Sequence, residues 1–290
     1  MDEHQDHLQA PVIPQEPYPA GTFQQRLPRK PYPSVGGAFG LLGILLGVSF
    51  IGGALLGMLN YFIPAADAPG FMMIYLAAFT ITLWIGLMFR RDKSFSWKSG
   101  RWYLWPLVLI FTVAFLIIRE PVLQLFNEGE AEKDLISGLD AMNPFMLVVS
   151  VLAAPLFEEL IFRGVILEGF LKRYRPGFAI LMSSVIFGIA HVHPLQFVNA
   201  LLLGLVMGWL YWKTRSLPLT IMLHFVNNLG ASFLSWKFTE PGSGVREMAG
   251  SEVAFLVLFL FSLLLVFVTC LIVPAYLKTR PPQKMKLNEG

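Results

Sequence analysis

"PLFEELIFRGV", residues 155–165, sets two adjacent glutamates and an arginine inside a run otherwise apolar enough to sit in lipid. An ionised group at the centre of a bilayer costs roughly 2.5–3.5 kcal/mol on insertion scales, so Glu158, Glu159 and Arg163 need a cause. The apolar run around them extends over residues 143–167, and about 20 helical residues suffice to span the hydrocarbon core. Seven more such segments lie near residues 36–63, 70–89, 102–118, 178–192, 195–212, 217–235 and 252–277. The fold expected is therefore all-α, a polytopic membrane helix bundle with about eight transmembrane helices. The segment at 178–192 is short and the next follows almost at once, which also allows a re-entrant pair.

Composition places the chain in the same class. Of 290 residues 55% are hydrophobic and only 14% charged, and 25 Phe outnumber 22 Lys and Arg, as expected of an integral membrane protein. The net charge of +3 is small, and the basic residues cluster at the ends of apolar runs. That pattern reads as membrane topology and argues against nucleic acid as a partner. A single cysteine, Cys270, excludes an intrachain disulfide and is expected to be an ordinary buried residue. Residues 1–35 are rich in Pro and Gln and too polar for a core, so they read as a disordered cytoplasmic tail rather than a signal peptide. His4 and His7 lie there as solvated residues. Residues 36–277 form the bundle, and 278–290 a basic cytoplasmic tail.

The loops orient the bundle. Arg26, Arg29 and Lys30 precede the first span; Arg90, Arg91, Lys93, Lys98 and Arg101 fill the second connection; Lys172, Arg173 and Arg175 the fourth; Lys213 and Arg215 the sixth; Lys278, Arg280, Lys284 and Lys286 the C-terminal tail. The odd connections hold Asp67, then Glu128, Glu130 and Glu132, then "TEPGSGVRE" (239–247). Lys and Arg accumulate on the cytoplasmic side, so both termini are expected there.

Polar residues inside the spans are few: Glu158, Glu159 and Arg163 in the fourth, His191 in the fifth, His224, Asn227 and Asn228 in the seventh. At 100° per residue, Glu159 and Arg163 lie about 40° apart and can pair, whereas Glu158 points about 140° away from Arg163. One glutamate is neutralised and the other left free. His224 and Asn228 share a face, as do Phe187 and His191, so three helices can aim polar groups at one point. At 1.5 Å per residue, Glu158, His224 and His191 lie about 15, 10 and 15–20 Å from the cytoplasmic helix ends, with His191 dependent on where its helix stops.

A carboxylate withdrawn from water is a usable general base, and imidazoles that orient a water or stabilise an oxyanion complete a hydrolytic site. Attack of an activated water on an amide is the natural reaction. Alternatively, His191, His224 and a carboxylate bind zinc with an open position for water, although no H-E-x-x-H pattern is present. Two other classes remain: a proton-coupled transporter, which predicts inverted halves and broken helices, and a non-catalytic membrane scaffold or immunity-type protein, which would tolerate loss of Glu158.

"EELIFRG" (158–164), "FGIAH" (187–191) and "HFVNN" (224–228), in that order on apolar helices, resemble the three signature motifs E-E-x-x-x-R, F-x-x-x-H and H-x-x-x-N/D of the CPBP intramembrane proteases. That family, also called Abi, includes type II CaaX prenyl endopeptidases and bacteriocin-processing and immunity proteins. The resemblance covers about residues 143–235. It implies a membrane-embedded peptidase in which Glu158 activates water with His191, while His224 and Asn228 support the site and the oxyanion. Glu159 and Arg163 take a supporting role, with the two glutamates' roles exchangeable. By resemblance too the site is either metal-free or zinc-bound through His191 and His224. The third motif ends in Asn rather than Asp, which removes one anionic ligand and tilts the balance towards a metal-free site. The implied partners are a membrane-embedded or lipid-anchored peptide or protein and membrane lipids, in a bacterial-type cytoplasmic membrane.

Overall fold

The structure is a computed structural model that describes residues 31–61, 67–125, 143–237 and 244–277. Residues 1–30 of the tail expected at 1–35, the tail at 278–290 and the acidic stretch around Glu130 lie outside the described residues, whereas Tyr32 and Val35, also expected in the N-terminal tail, pack against the core.

Each long apolar run becomes a helix because lipid offers the backbone no hydrogen-bond partners, and the helix satisfies its own. In chain order these are α1 (Val35–Asn60), α2 (Asp67–Phe89), α3 (Leu104–Gln124), α4 (Pro144–Leu171), α5 (Pro176–Ile189), α6 (Pro194–Thr214), α7 (Leu217–Lys237), the short α8 (Gly244–Ala249) and α9 (Glu252–Leu277). Among the described residues seven are long and apolar enough to cross a membrane, and α5, at 14 residues, is the shorter apolar helix foreseen at that place. The fold is an all-α polytopic bundle. Among the described residues strand pairing is confined to an isolated bridge between Trp97 and Ser216.

Burial ranks the helices. Half of the apolar window of α4 is buried inside the protein, against 17% for α1 and α9. So α4 is the central element, and α1 and α9 turn residues such as Phe50 and Phe267 outward to lipid; Cys270, expected buried, is exposed on the same outward-facing α9. The core around α4 includes Leu41 and Leu45 of α1, Phe111 of α3, Phe162 and Ile166 of α4, Phe187 of α5 and Met207 of α6.

The α5–α6 hairpin is among the most extensively packed pairs. Gly204 permits the approach, because a Cβ there would stand 3.0 Å from Ser184 Cβ and 3.1 Å from its Cα. Small residues at such crossings let backbones come close where no hydrophobic effect drives association.

Two features differ from the sequence reading. The third span does not stop at residue 118: α3 runs on to Gln124 and buries both Arg119 and Glu120. Their polar groups find partners within protein, Arg119 Nη1 donating to Asn199 Oδ1 of α6, and Glu120 Oε1 accepting from Gln124 and from the Arg246 amide. The second difference lies within α4, which contains two π-helical segments, Val148–Ala153 and Leu160–Leu167. Pro155 accounts for part of this. It has no N–H to donate, and the Ala154 amide already bonds back to Val149 O. The Ser150 carbonyl, five residues before Pro155, therefore takes its hydrogen bond from elsewhere.

Candidate active site

That donor comes from α7. Asn228 Nδ2 donates to Ser150 O at 2.8 Å, while its Oδ1 accepts from Asn227 Nδ2 at 3.0 Å. The loosened segment of α4 is thus tied to the helix carrying His224, one turn before Asn228.

Glu158 and Glu159 follow between the two π segments and are 7% and 0% exposed. Glu159 Oε1 accepts from Arg163 Nη1 at 2.7 Å, the i,i+4 pair expected from spacing, and from His224 Nδ1 at 3.1 Å. Arg163 is held in turn by Gly204 O of α6, at 3.4 Å from Nη2, and by the Phe187 ring 4.6 Å below its guanidinium carbon. A buried ion pair persists only where further hydrogen bonds satisfy it, and here a histidine, a carbonyl and an aromatic face supply them. Glu158 lies outside this pair, also as the helical arithmetic requires. Its Oε1 accepts from Tyr75 OH of α2 at 2.8 Å, and its Oε2 lies 3.8 Å from His224 Nε2. That Oε2 atom is buried and has no hydrogen-bond partner among the described residues.

His224 therefore stands between the two glutamates. Its Nδ1–H donates to Glu159, which leaves Nε2 directed at Glu158. His191 sits in the turn just beyond α5, half-buried, with Nδ1 donating to Phe187 O at 2.9 Å. A carbonyl only accepts, so this bond leaves Nε2 of His191 with its lone pair. The Phe187 ring meets both imidazoles edge to face, 4.8 Å from His191 and 6.0 Å from His224. The next residue, Val192, has φ 62°. That is a costly conformation for a β-branched residue, of the kind that concentrates at functional sites.

Of the residues singled out in the sequence, Glu158, Glu159, Arg163 and His224 form one connected cluster. Asn228 joins it through the Ser150 carbonyl, and His191 through Phe187. Tyr75 was missed. A tyrosine hydroxyl in mid-span needs a partner, and that was the one signal available, since its partner is 83 residues away in sequence. The residues do not fit a resident zinc ion: among the described residues no group of three or more His, Cys, Asp or Glu side chains is arranged to hold a metal.

Comparison with known proteins bears on the same segment. The family model of type II CAAX prenyl endopeptidases, Rce1-like, matches residues 140–230. A Bacillus subtilis (strain 168) protein named "Putative membrane peptidase YdiL" is 27% identical over 163 residues, 54% of this chain. The match covers 65% of that protein's length. No solved structure matches. The matched segment contains all three motifs and every side chain of the cluster except Tyr75, and in that segment the chain is similar to the type II CAAX prenyl endopeptidases.

Proposed function

We propose that the protein is an intramembrane endopeptidase, of a bacterial-type cytoplasmic membrane, that hydrolyses a peptide bond in a membrane-embedded or lipid-anchored substrate. The observation that carries this reading is Glu158 Oε2, buried, without a hydrogen-bond partner among the described residues, and 3.8 Å from His224 Nε2. A water beside these two atoms would be within reach of both. Glu158 takes its proton as the water oxygen bonds to the peptide carbonyl carbon; the carbon–nitrogen bond then breaks, and the proton passes from Glu158 to the leaving amine. His224, fixed by Glu159, is the group beside that water, and His191, linked to His224 through the Phe187 ring and with Nε2 outside the Phe187 carbonyl bond, is assigned to the water or the oxyanion. Arg163 pairs with Glu159 and so fixes the carboxylate that positions His224. Asn228 supports the site by holding α7 to α4. The relative's name and the family's description support the peptidase class. The family's prenylated substrates make a prenylated C terminus the first to try.

The test is cleavage of membrane-anchored peptides, prenylated and unprenylated, by purified protein in detergent. Wild type is compared with Glu158→Gln and His224→Ala, each with and without a strong zinc chelator. Cleavage lost in both variants and retained under chelation is the expected result. Loss under chelation would make the enzyme a metallopeptidase, and variants that cleave like wild type would remove Glu158 and His224 from the mechanism.

A further inference from the structure

Arg90, the residue after α2, is buried, yet among the described residues no carboxylate lies within ion-pair distance of it. Its guanidinium donates to two backbone carbonyls, Gly164 O at 2.7 Å and Ser94 O at 3.0 Å, and lies over the Phe95 ring. A buried charge ordinarily finds a counter-charge, and Arg90 opens onto a cavity of about 280 Å³. Arg90, Lys98 and Lys172 line that cavity together with Asp92, Glu168 and Tyr211.

Both carboxylates are already engaged. Glu168 accepts from Tyr211 OH at 3.0 Å and Arg215 at 2.8 Å, and lies 3.2 Å from Lys172 Nζ. Asp92 accepts from the amide and hydroxyl of Ser94 at 2.9 and 2.6 Å, 4.0 Å from Lys172. Three lining cations thus face two carboxylates, one of which is also met by Arg215 from outside the lining. The cavity carries a positive surplus centred on Arg90.

Its place in the fold selects the anion. Arg90 marks the end of α2, Glu168 and Lys172 the end of α4, and Tyr211 the last turn of α6, so the cavity sits where three membrane helices leave the hydrocarbon. The flanking loop exposes Trp97 and Trp102, 55% and 82% accessible, the residue type that settles at the lipid–water boundary. We propose that this cavity binds the phosphate of an anionic phospholipid headgroup, with Arg90 as its buried counter-ion and Lys98 and Lys172 closing around it. Basic pockets between membrane helices are suited to such headgroups.

The test follows the melting temperature of the purified protein in neutral detergent by tryptophan fluorescence during titration with phosphatidylglycerol, phosphatidylcholine or inorganic phosphate. Phosphatidylglycerol should raise it saturably and phosphatidylcholine should not. Lys98→Gln/Lys172→Gln should weaken the apparent affinity about thirtyfold, and Lys98→Arg/Lys172→Arg should keep it, which separates charge from folding. Equal stabilisation by both lipids, or an undiminished response in the Gln variant, would overturn the site. Saturation by inorganic phosphate at the same concentration would overturn the lipid as its source.

Discussion

Glu158 and Glu159 are adjacent in sequence and have different surroundings in space. Glu159 shares one oxygen between Arg163 and His224, so it is neutralised and its ordinary use is to hold the histidine. Each glutamate keeps one buried oxygen unbonded among the described residues, but Glu158 is free of the arginine pair and its open oxygen faces His224 Nε2 at 3.8 Å, so it is the one placed to share a water with the histidine. Glu158→Gln is expected to lower kcat by about 10²–10⁴-fold with the fold intact. Tyr75→Phe removes the hydrogen bond that fixes the Glu158 carboxylate and should lower kcat about tenfold with KM unchanged, read from steady-state cleavage. Glu159→Gln and Arg163→Met instead act on stability. Each leaves a buried charge without its partner and should cost about 3–5 kcal/mol, whereas the double variant should regain much of that loss, measured by unfolding in detergent. The i,i+4 spacing made the Glu159–Arg163 pair legible beforehand, because both ends lie on one helix. Tyr75 was not legible as a site residue, because its bond crosses from α2 to α4 and no local pattern encodes it.

At the scale of the elements, α4 is where local rules and tertiary structure meet. Sequence reading gave its place and approximate length from hydropathy, but not its π segments, which depend on what neighbouring helices offer to freed carbonyls. Pro155 withholds an N–H and Asn228 supplies one across the interface to Ser150. Asn228→Ala should therefore destabilise the protein by about 0.5–1.5 kcal/mol, the net worth of a part-buried hydrogen bond. In that background Pro155→Ala restores a backbone N–H near Ser150 and should recover part of the loss; an equal loss with and without Pro155 would disconnect the two residues. The third span was read too short for a related reason. Arg119 and Glu120 look like a helix end by composition alone, and only the presence of Asn199 and Arg246 opposite them lets α3 continue. Close packing of α5 on α6 is equally specific. Gly204→Val sets branched atoms against the Ser184 backbone and should cost about 1–3 kcal/mol by overpacking, again read from unfolding.

For the whole molecule, the short α5 explains how His191 reaches the level of Glu158. Fourteen residues rise about 21 Å, less than the roughly 30 Å of hydrocarbon, so the turn carrying His191 comes at membrane depth instead of beyond it. Glu158 stands about 20 Å from the end of α4 on the same reckoning, and α4 and α5 are joined at that end by Lys172–Arg175. Whether α5 and α6 are counted as two crossings or as one re-entrant pair, the described helices give an even number of crossings, which predicts both termini on one side. Charge predicts which side, since the described connections after α2, α4 and α6 are basic and Lys and Arg gather on the cytoplasmic face. Reporter fusions at residues 1 and 290 should both register as cytoplasmic. In a Cys270→Ser background, a membrane-impermeant thiol reagent added outside intact cells should label Ser251→Cys, at the start of α9, and leave Lys98→Cys unlabelled. Labelling of Lys98→Cys alone would invert the molecule and turn the basic cavity outward. Fusions on opposite sides would mean an odd number of crossings, and with it that α5 does not return the chain through the membrane beside α6.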